Sequence, residues 1–321
     1  MISSSFIVLV VGSGNFGSRW LQGLSKTDVP LSIHVVDPSV GSLINARTRW
    51  DDVNSVDSLH TIKFHPTLEK IPKNIDLVIV VTTADVRPGV VASVAKIARV
   101  RYWILEKVLA QSLSGIDKIE KAIDCQSLAW VNTSRRRWKW YNDIRCRTET
   151  HSPCLGKIWG GVWELGSNVI HYLDLFSWWT GETLVDVITQ NLDNKWCKSK
   201  TRTQFYTIYG ELIANFSGGS SLVFCWDTRT SVMVELNGPN GQWTIDETEG
   251  IAVSSYGLTI PGKLEHQSEN SAPLIKSILE TGQCDLPSLN QSASMHRILI
   301  SALLDHWNHN MSNKKDFLPI S

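Results

Sequence analysis

Short apolar runs recur along the first third of the chain, each closed by a glycine or a polar break. Phe6 to Val11 is unbroken and aliphatic, as in a parallel strand covered on both faces. "LSIHVVD", "IDLVIVVTT" (75–83) and "RYWILEKVLAQS" repeat that texture. Between them the period lengthens. In "NFGSRWLQGLSK", Phe16, Trp20 and Leu24 fall four residues apart, which predicts one face of a helix. "DVRPGVVASVAKIAR" reads as another helix, with Pro88 tolerated in its first turn. Strands alternating with helices predict a doubly wound parallel sheet over residues 1–123.

From about residue 124 the pattern changes. "QFYTIYGELIANFS", "SSLVFCWDT" and "SVMVELNG" alternate or run β-rich, joined by Gly-Gly, "DTRT" and "GPNG" turns. They predict a largely antiparallel open sheet in an α/β domain spanning 124–321, flanked by the helix "NVIHYLDLFSWW". A closing helix over about 288–309 is expected to pack back toward the first domain. The basic run "SRRRWKW" (134–140) reads as a solvated strand or loop edge rather than a nucleic-acid contact.

The break after the first strand is Gly12-x-Gly14-x-x-Gly17. Strand, glycines and helix in this order form a dinucleotide-binding (Rossmann) fingerprint. Gly12 would make the turn, Gly14 admit the pyrophosphate, and Gly17 let helix and strand pack closely. Ser13, Asn15 and Phe16 complete a helix N-terminus whose N–H groups and dipole suit phosphate. Asp37 ends the second apolar run 20 residues after Gly17, where a carboxylate closes on the adenosine ribose. It would repel a 2′-phosphate, and "PSVGS" after it offers no arginine, so NAD is expected rather than NADP. Thr82 and Thr83 end the third run, where strand termini face a nucleotide.

Composition adds exclusions. The 31 Lys and Arg balance 31 Asp and Glu, so no broad basic footprint suggests nucleic acid or an anionic membrane. Six cysteines (125, 146, 154, 197, 225 and 284) are scattered without metal-ligand or disulfide spacing, which favours a reducing, cytoplasmic setting and no metal. No apolar run approaches a membrane span, and the six-residue "FIVLVV" lacks the basic flank of a signal peptide. The 14 tryptophans are read mostly as core or interface fillers, with some lining a pocket for a flat or sugar-like ligand.

Glu106 and Lys107 end a buried strand, and His171 and Asp174 share one face of a helix. Each pair alone would suit an ordinary structural role. At the carboxyl edge of a nucleotide-binding sheet, however, a lysine can hydrogen-bond a substrate oxygen, and a His–Asp pair can handle its proton.

The order of motifs resembles the Gfo/Idh/MocA oxidoreductase family over nearly the whole chain. "VTTADVR" stands where that family usually has "ATP-x-x-x-H", with Arg87 in place of the histidine, and "EKV" stands for its "EKP". "GGVWELGSNVIHYLDLFSWWTGE" is similar to its "H-x-x-D" helix, supplying His171, Asp174, Trp178 and Gly181. "FSGGSSLVFCW" and "VELNGPNGQWTID" match its second-domain hairpins. The resemblance implies catalysis by Lys107 with His171 or Asp174, and cofactor contacts from Arg87, Glu106 and Lys107. Arg135, Arg137, Trp163 and Asn168 become candidate substrate contacts for a carboxylate or nucleotide-sugar phosphate. The implied reaction is hydride transfer between NAD(H) and a secondary alcohol of a sugar, polyol or nucleotide sugar. A homodimer or homotetramer through the C-terminal sheet is expected. A tetrapyrrole reductase of the biliverdin-reductase kind and a non-catalytic NAD-binding sensor remain alternatives.

Overall fold

The computed structural model describes residues 5–54, 58–146, 153–160, 164–225, 231–238 and 241–321. The chain forms two compact units, each made of three segments. The first takes Met1–Leu109, Gly115–Asn132 and Glu265–Leu289; the second takes Ala110–Ser114, Thr133–Leu264 and Asn290–Ser321.

In the first unit, β1 (Phe6–Val11), β2 (Leu31–Val36), β3 (Thr61–His65), β4 (Asn74–Val80), β5 (Arg99–Leu105) and β6 (Leu128–Val131) make one parallel sheet. Its order, β3-β2-β1-β4-β5-β6, reverses direction between β1 and β4, the switch point where doubly wound sheets bind nucleotides. The aliphatic runs fill the interior because parallel strands are covered on both sides: Val8, Leu9, Val10, Leu77, Val78, Ile79 and Ile104 are all inaccessible. The connecting helices are α1 (Asn15–Leu24), α2 (Val40–Asp51), α3 (Arg87–Ile97) and α4 (Leu113–Ala122). Along α1, Trp20 and Leu24 are buried as expected, but Phe16 is 44% exposed. It lies in the first turn, beyond the part of α1 that packs on the core.

A fifth helix, α7 (Gln267–Thr281), comes from far along the chain to pack on α1. The contact is close: a Cβ on Gly23 would lie 2.3 Å from that of Ser271. Thus the division expected at residue 124 is not a single cut, since β6 and α7 belong to the first unit.

The second unit is built on an eight-stranded sheet of order β16-β15-β14-β13-β7-β12-β11-β8. Its strands are β7 (Leu155–Gly160), β8 (Leu184–Ile188), β11 (Glu211–Phe216), β12 (Ser221–Cys225), β13 (Val232–Gly238), β14 (Gly241–Asp246), β15 (Ile251–Ser254) and β16 (Thr259–Pro261). All neighbours are antiparallel except β7 and β12. A separate two-stranded ribbon pairs β9 (Cys197–Lys198) with β10 (Tyr206–Thr207). One face of the large sheet is covered, with Ile158, Leu222, Phe224, Val234 and Ile245 buried. The other carries Leu155, Ile251 and Val253, each at least 40% exposed.

Two long helices, α6 (Leu165–Thr180) and α8 (Leu289–Asn310), belong to this region, and nearly all of α8 clusters with the second unit. "SRRRWKW" is not a strand. Ser134–Arg137 is a turn of 3-10 helix followed by α5 (Lys139–Arg145). Trp140, Tyr141 and Ile144 recur with helical period and are buried, and that packing fixes the local structure. Among the described residues, no helix is long and apolar enough to cross a membrane.

Candidate functional site

The first unit places the three glycines in distinct environments. Gly12 adopts φ +97, and a Cβ on it would meet the Val81 carbonyl at 2.9 Å. One on Gly17 would lie 2.0 Å from the Gly12 oxygen, so that position admits no side chain. Gly14 faces open space, with nothing within 4 Å of the corresponding point. It is also the N-cap of α1, and no side chain caps that helix. Exposed Gly14, Asn15 and Phe16 therefore present the helix start to whatever occupies the edge. Buried Asp37 stands beside this turn, accepting from the Ser13 amide at 2.7 Å and the Ser39 amide at 2.8 Å. A carboxylate has about four acceptor positions, so two remain for ribose hydroxyls. Helix end, open glycine and acid together suit a dinucleotide and fit NAD.

Thr82 and Thr83 follow β4, and both are half-buried. Arg87, at the start of α3, is 1% exposed, and its guanidinium donates to the carbonyl oxygens of Thr82, Val108 and Leu109. It fastens the turn after β5 to the end of β4. Glu106 is buried too, accepting from Trp20 Nε1 at 2.9 Å and Asn132 Nδ2 at 2.7 Å. Burial pushes its carboxyl pKa up, and those two donors partly offset the shift. Half-buried Lys107 comes next, between Glu106 on one side and Arg87's grip on the other. Arg49, which the sequence reading passed over, reaches from α2 to the Asn15 side chain at 3.3 Å and to the Ser18 hydroxyl.

In the second unit, α6 carries His171 and Asn168 half-buried along one stripe, with the Asn168 amide donating to Glu164 at 3.0 Å. Asp174 is 2% exposed. Its Oδ1 lies 3.1 Å from Arg136 Nη2, and its Oδ2 accepts from the Thr133 hydroxyl at 2.8 Å. Burial raises its pKa to about 6, against the pull of Arg136 and the Thr133 hydrogen bond. Arg135 forms a buried fork with Glu247 at 3.2 Å on both branches, with the Tyr172 and Tyr141 hydroxyls on the same carboxylate. The guanidinium expected to meet substrate thus has an internal partner. Half-buried Arg137 ends the same 3-10 turn. Trp163 lies outside the described residues. The Arg136–Asp174 pair had no sequence signal, because 38 residues separate partners that only the fold brings together.

No protein-family model and no curated protein matches the chain. Solved structures do. A myo-inositol dehydrogenase from Lactobacillus casei, in complex with NAD(H) and myo-inositol, is 14% identical at a TM-score of 0.70, over 99% of this chain and 98% of that one. An aldose-aldose oxidoreductase from Caulobacter crescentus, complexed with glycerol, is 14% identical at 0.70, over 95% and 98%. A super-repressor mutant of Gal80p from Saccharomyces cerevisiae is 14% identical at 0.67, over 96% and 97%. At such identities the likeness is one of fold. The chain has the fold of these proteins, most of them oxidoreductases, as the Gfo/Idh/MocA resemblance implied.

Proposed function

We propose that the chain is an NAD-dependent oxidoreductase acting on a secondary alcohol or carbonyl carbon of a sugar, polyol or nucleotide sugar. The observation that carries the cofactor is the uncapped start of α1 behind open Gly14, with Asp37 alongside. The α1 amides would hold the pyrophosphate and Asp37 the adenosine ribose. Bound NAD supplies the hydride acceptor. Lys107 donates to the substrate oxygen and polarises it, while His171 takes or returns the hydroxyl proton. Asp174 is 2% exposed and held by Arg136 and Thr133, so its role in this reading is to position α6. Arg137 and Asn168 are the proposed polar contacts to substrate, and sugar-related solved structures of the same fold support that class. The setting is cytoplasmic, and a second copy covers the open sheet face bearing Leu155, Ile251 and Val253.

The test is NADH binding by fluorescence together with turnover on myo-inositol, aldoses, UDP-sugars and a bilin. Binding with turnover on a sugar, lost in Lys107→Ala and His171→Ala while NADH still binds, is the expected result. The repressor among the solved structures favours one other reading, a nucleotide-binding sensor. Tight NADH binding with no turnover across the panel would establish that reading instead.

A further inference from the structure

We propose that the amino-terminal edge of the first unit's sheet holds a second binding site, for a compact organic anion with two or more negatively charged oxygens. A cleft of about 760 Å³ opens there, within the 300–1,000 Å³ range usual for small-molecule sites. It is lined by the first residues of β4 and β5, the end of α3 and the segment after α4.

Strand alternation arms this cleft. Along β5, Arg99, Arg101 and Trp103 alternate with Val100, Tyr102 and Ile104, and the first three line the cleft. Lys96 joins them from the last turn of α3, where the helix dipole favours a cation. All three basic residues are exposed, and none of their side chains forms an ion pair or hydrogen bond among the described residues. Arg101 does lie over the Tyr102 ring, 4.7 Å from its centroid, which orders the guanidinium without using its donors.

The acids lining the same cleft are differently placed. Asp76 accepts from the Ile7 amide at 2.8 Å, and Asp124 from the Gln126 amide at 2.8 Å, so each is tied to backbone. Three basic side chains in this cleft thus face two acids, each with one oxygen held by backbone. A further donor lies behind them. Trp103 is 1% exposed, and its indole Nε1 is buried with no acceptor, an arrangement proteins avoid because a buried N–H without a partner is costly. A carboxylate or phosphate oxygen entering between the arginines would face guanidinium forks, with the Trp103 indole N–H as a further donor among the lining residues.

This site is not the nucleotide crevice. Arg99 and Arg101 lie at the start of β5, five to seven residues before Glu106, which is roughly 17–23 Å along a strand rising about 3.3 Å per residue. A ligand here would be an effector held at the opposite end of the strand that delivers Lys107, so the inference stands whether or not the catalytic reading does.

The experiment is isothermal titration calorimetry on the full chain at fixed ionic strength. Citrate is the carboxylate arm, 3-phosphoglycerate the phosphate arm, and sodium chloride the reference. We expect saturable binding of at least one arm, and the arm that binds identifies the source of the charge. Affinity should fall about tenfold or more in Arg99→Ala/Arg101→Ala, whose substitutions are on the surface. Trp103→Phe keeps the ring but removes the donor, and should weaken binding by a smaller factor. NADH affinity should be unchanged in the double arginine variant. No saturable heat beyond the chloride reference with either anion would overturn the proposal, as would equal affinity in wild type and the double variant.

Discussion

Arg87 shows how a single buried residue can fix a turn at the edge of a sheet. Its buried guanidinium holds three carbonyl oxygens, two of them in the turn directly after Lys107. Arg87→Ala would leave those acceptors buried without their charged donor. We expect a loss of about 2–4 kcal/mol in denaturant unfolding, with turnover falling more than NADH affinity because Lys107 loses its fixed position. Arg87→Lys should recover part of the stability. Asp174 makes a pH prediction whose sign is fixed by the direction of its shift. Its pKa is raised from 3.8 to about 6, so between those values the folded state binds more protons than the unfolded one. Stability must then fall as pH rises through that window, and the full penalty is present above about 6. Unfolding free energies of wild type and Asp174→Asn, compared at pH 4 and pH 7, should shift by about 2 kcal/mol to the disadvantage of wild type at the higher pH. A difference independent of pH would show that the carboxyl titrates normally.

At the scale of elements, the glycine turn separates folding from binding. Gly17→Ala must push the Gly12 carbonyl or α1 aside, so both melting temperature and NADH affinity should drop. Gly14→Ala meets no protein atom, and its φ of −60 suits any residue, so melting should be unchanged while NADH affinity falls. Thermal shift and NADH titration on the two variants separate these outcomes. This turn was legible in the sequence because strand, glycines, helix and acid are consecutive, and each carries its own periodicity. Elements with weaker patterns were not legible. In β3, Thr61–His65, no residue is buried, because it is an edge strand, and α2 buries only Leu43, Ala46 and Trp50. The basic run "SRRRWKW" reads locally as a solvated strand or loop edge, but burial of Trp140, Tyr141 and Ile144 at helical spacing goes with a helix. Contacts such as Arg87 to Val108 or Arg135 to Glu247 depend on where the chain returns, and no local pattern encodes that.

At the scale of the whole molecule, the interleaving of segments decides what can fold alone. A fragment ending at residue 123 would keep the cofactor turn but lose β6 and α7. The first unit's core would lose Leu274, Ile275, Ile278 and Leu279, each at most 2% exposed. Burying four such side chains is worth about 6–12 kcal/mol, the same size as the roughly 5–15 kcal/mol that holds a typical domain together. Residues 1–123 should therefore be unfolded by circular dichroism and should not bind NADH. The missing pieces lie close to each other. The Asn132 side chain donates to Gln267 at 2.9 Å, Val131 donates its amide to Pro287 at 3.1 Å, and Trp130 bridges to Ser288. Omitting residues 133–264 and joining 1–132 to 265–289 through a short glycine-serine linker restores that packing at small loop-closure cost. This fusion should fold cooperatively and bind NADH without turning over any substrate, since His171 and its helix are gone. A soluble, folded 1–123 fragment that bound NADH would show instead that α7 is an accessory to the first unit rather than part of its core.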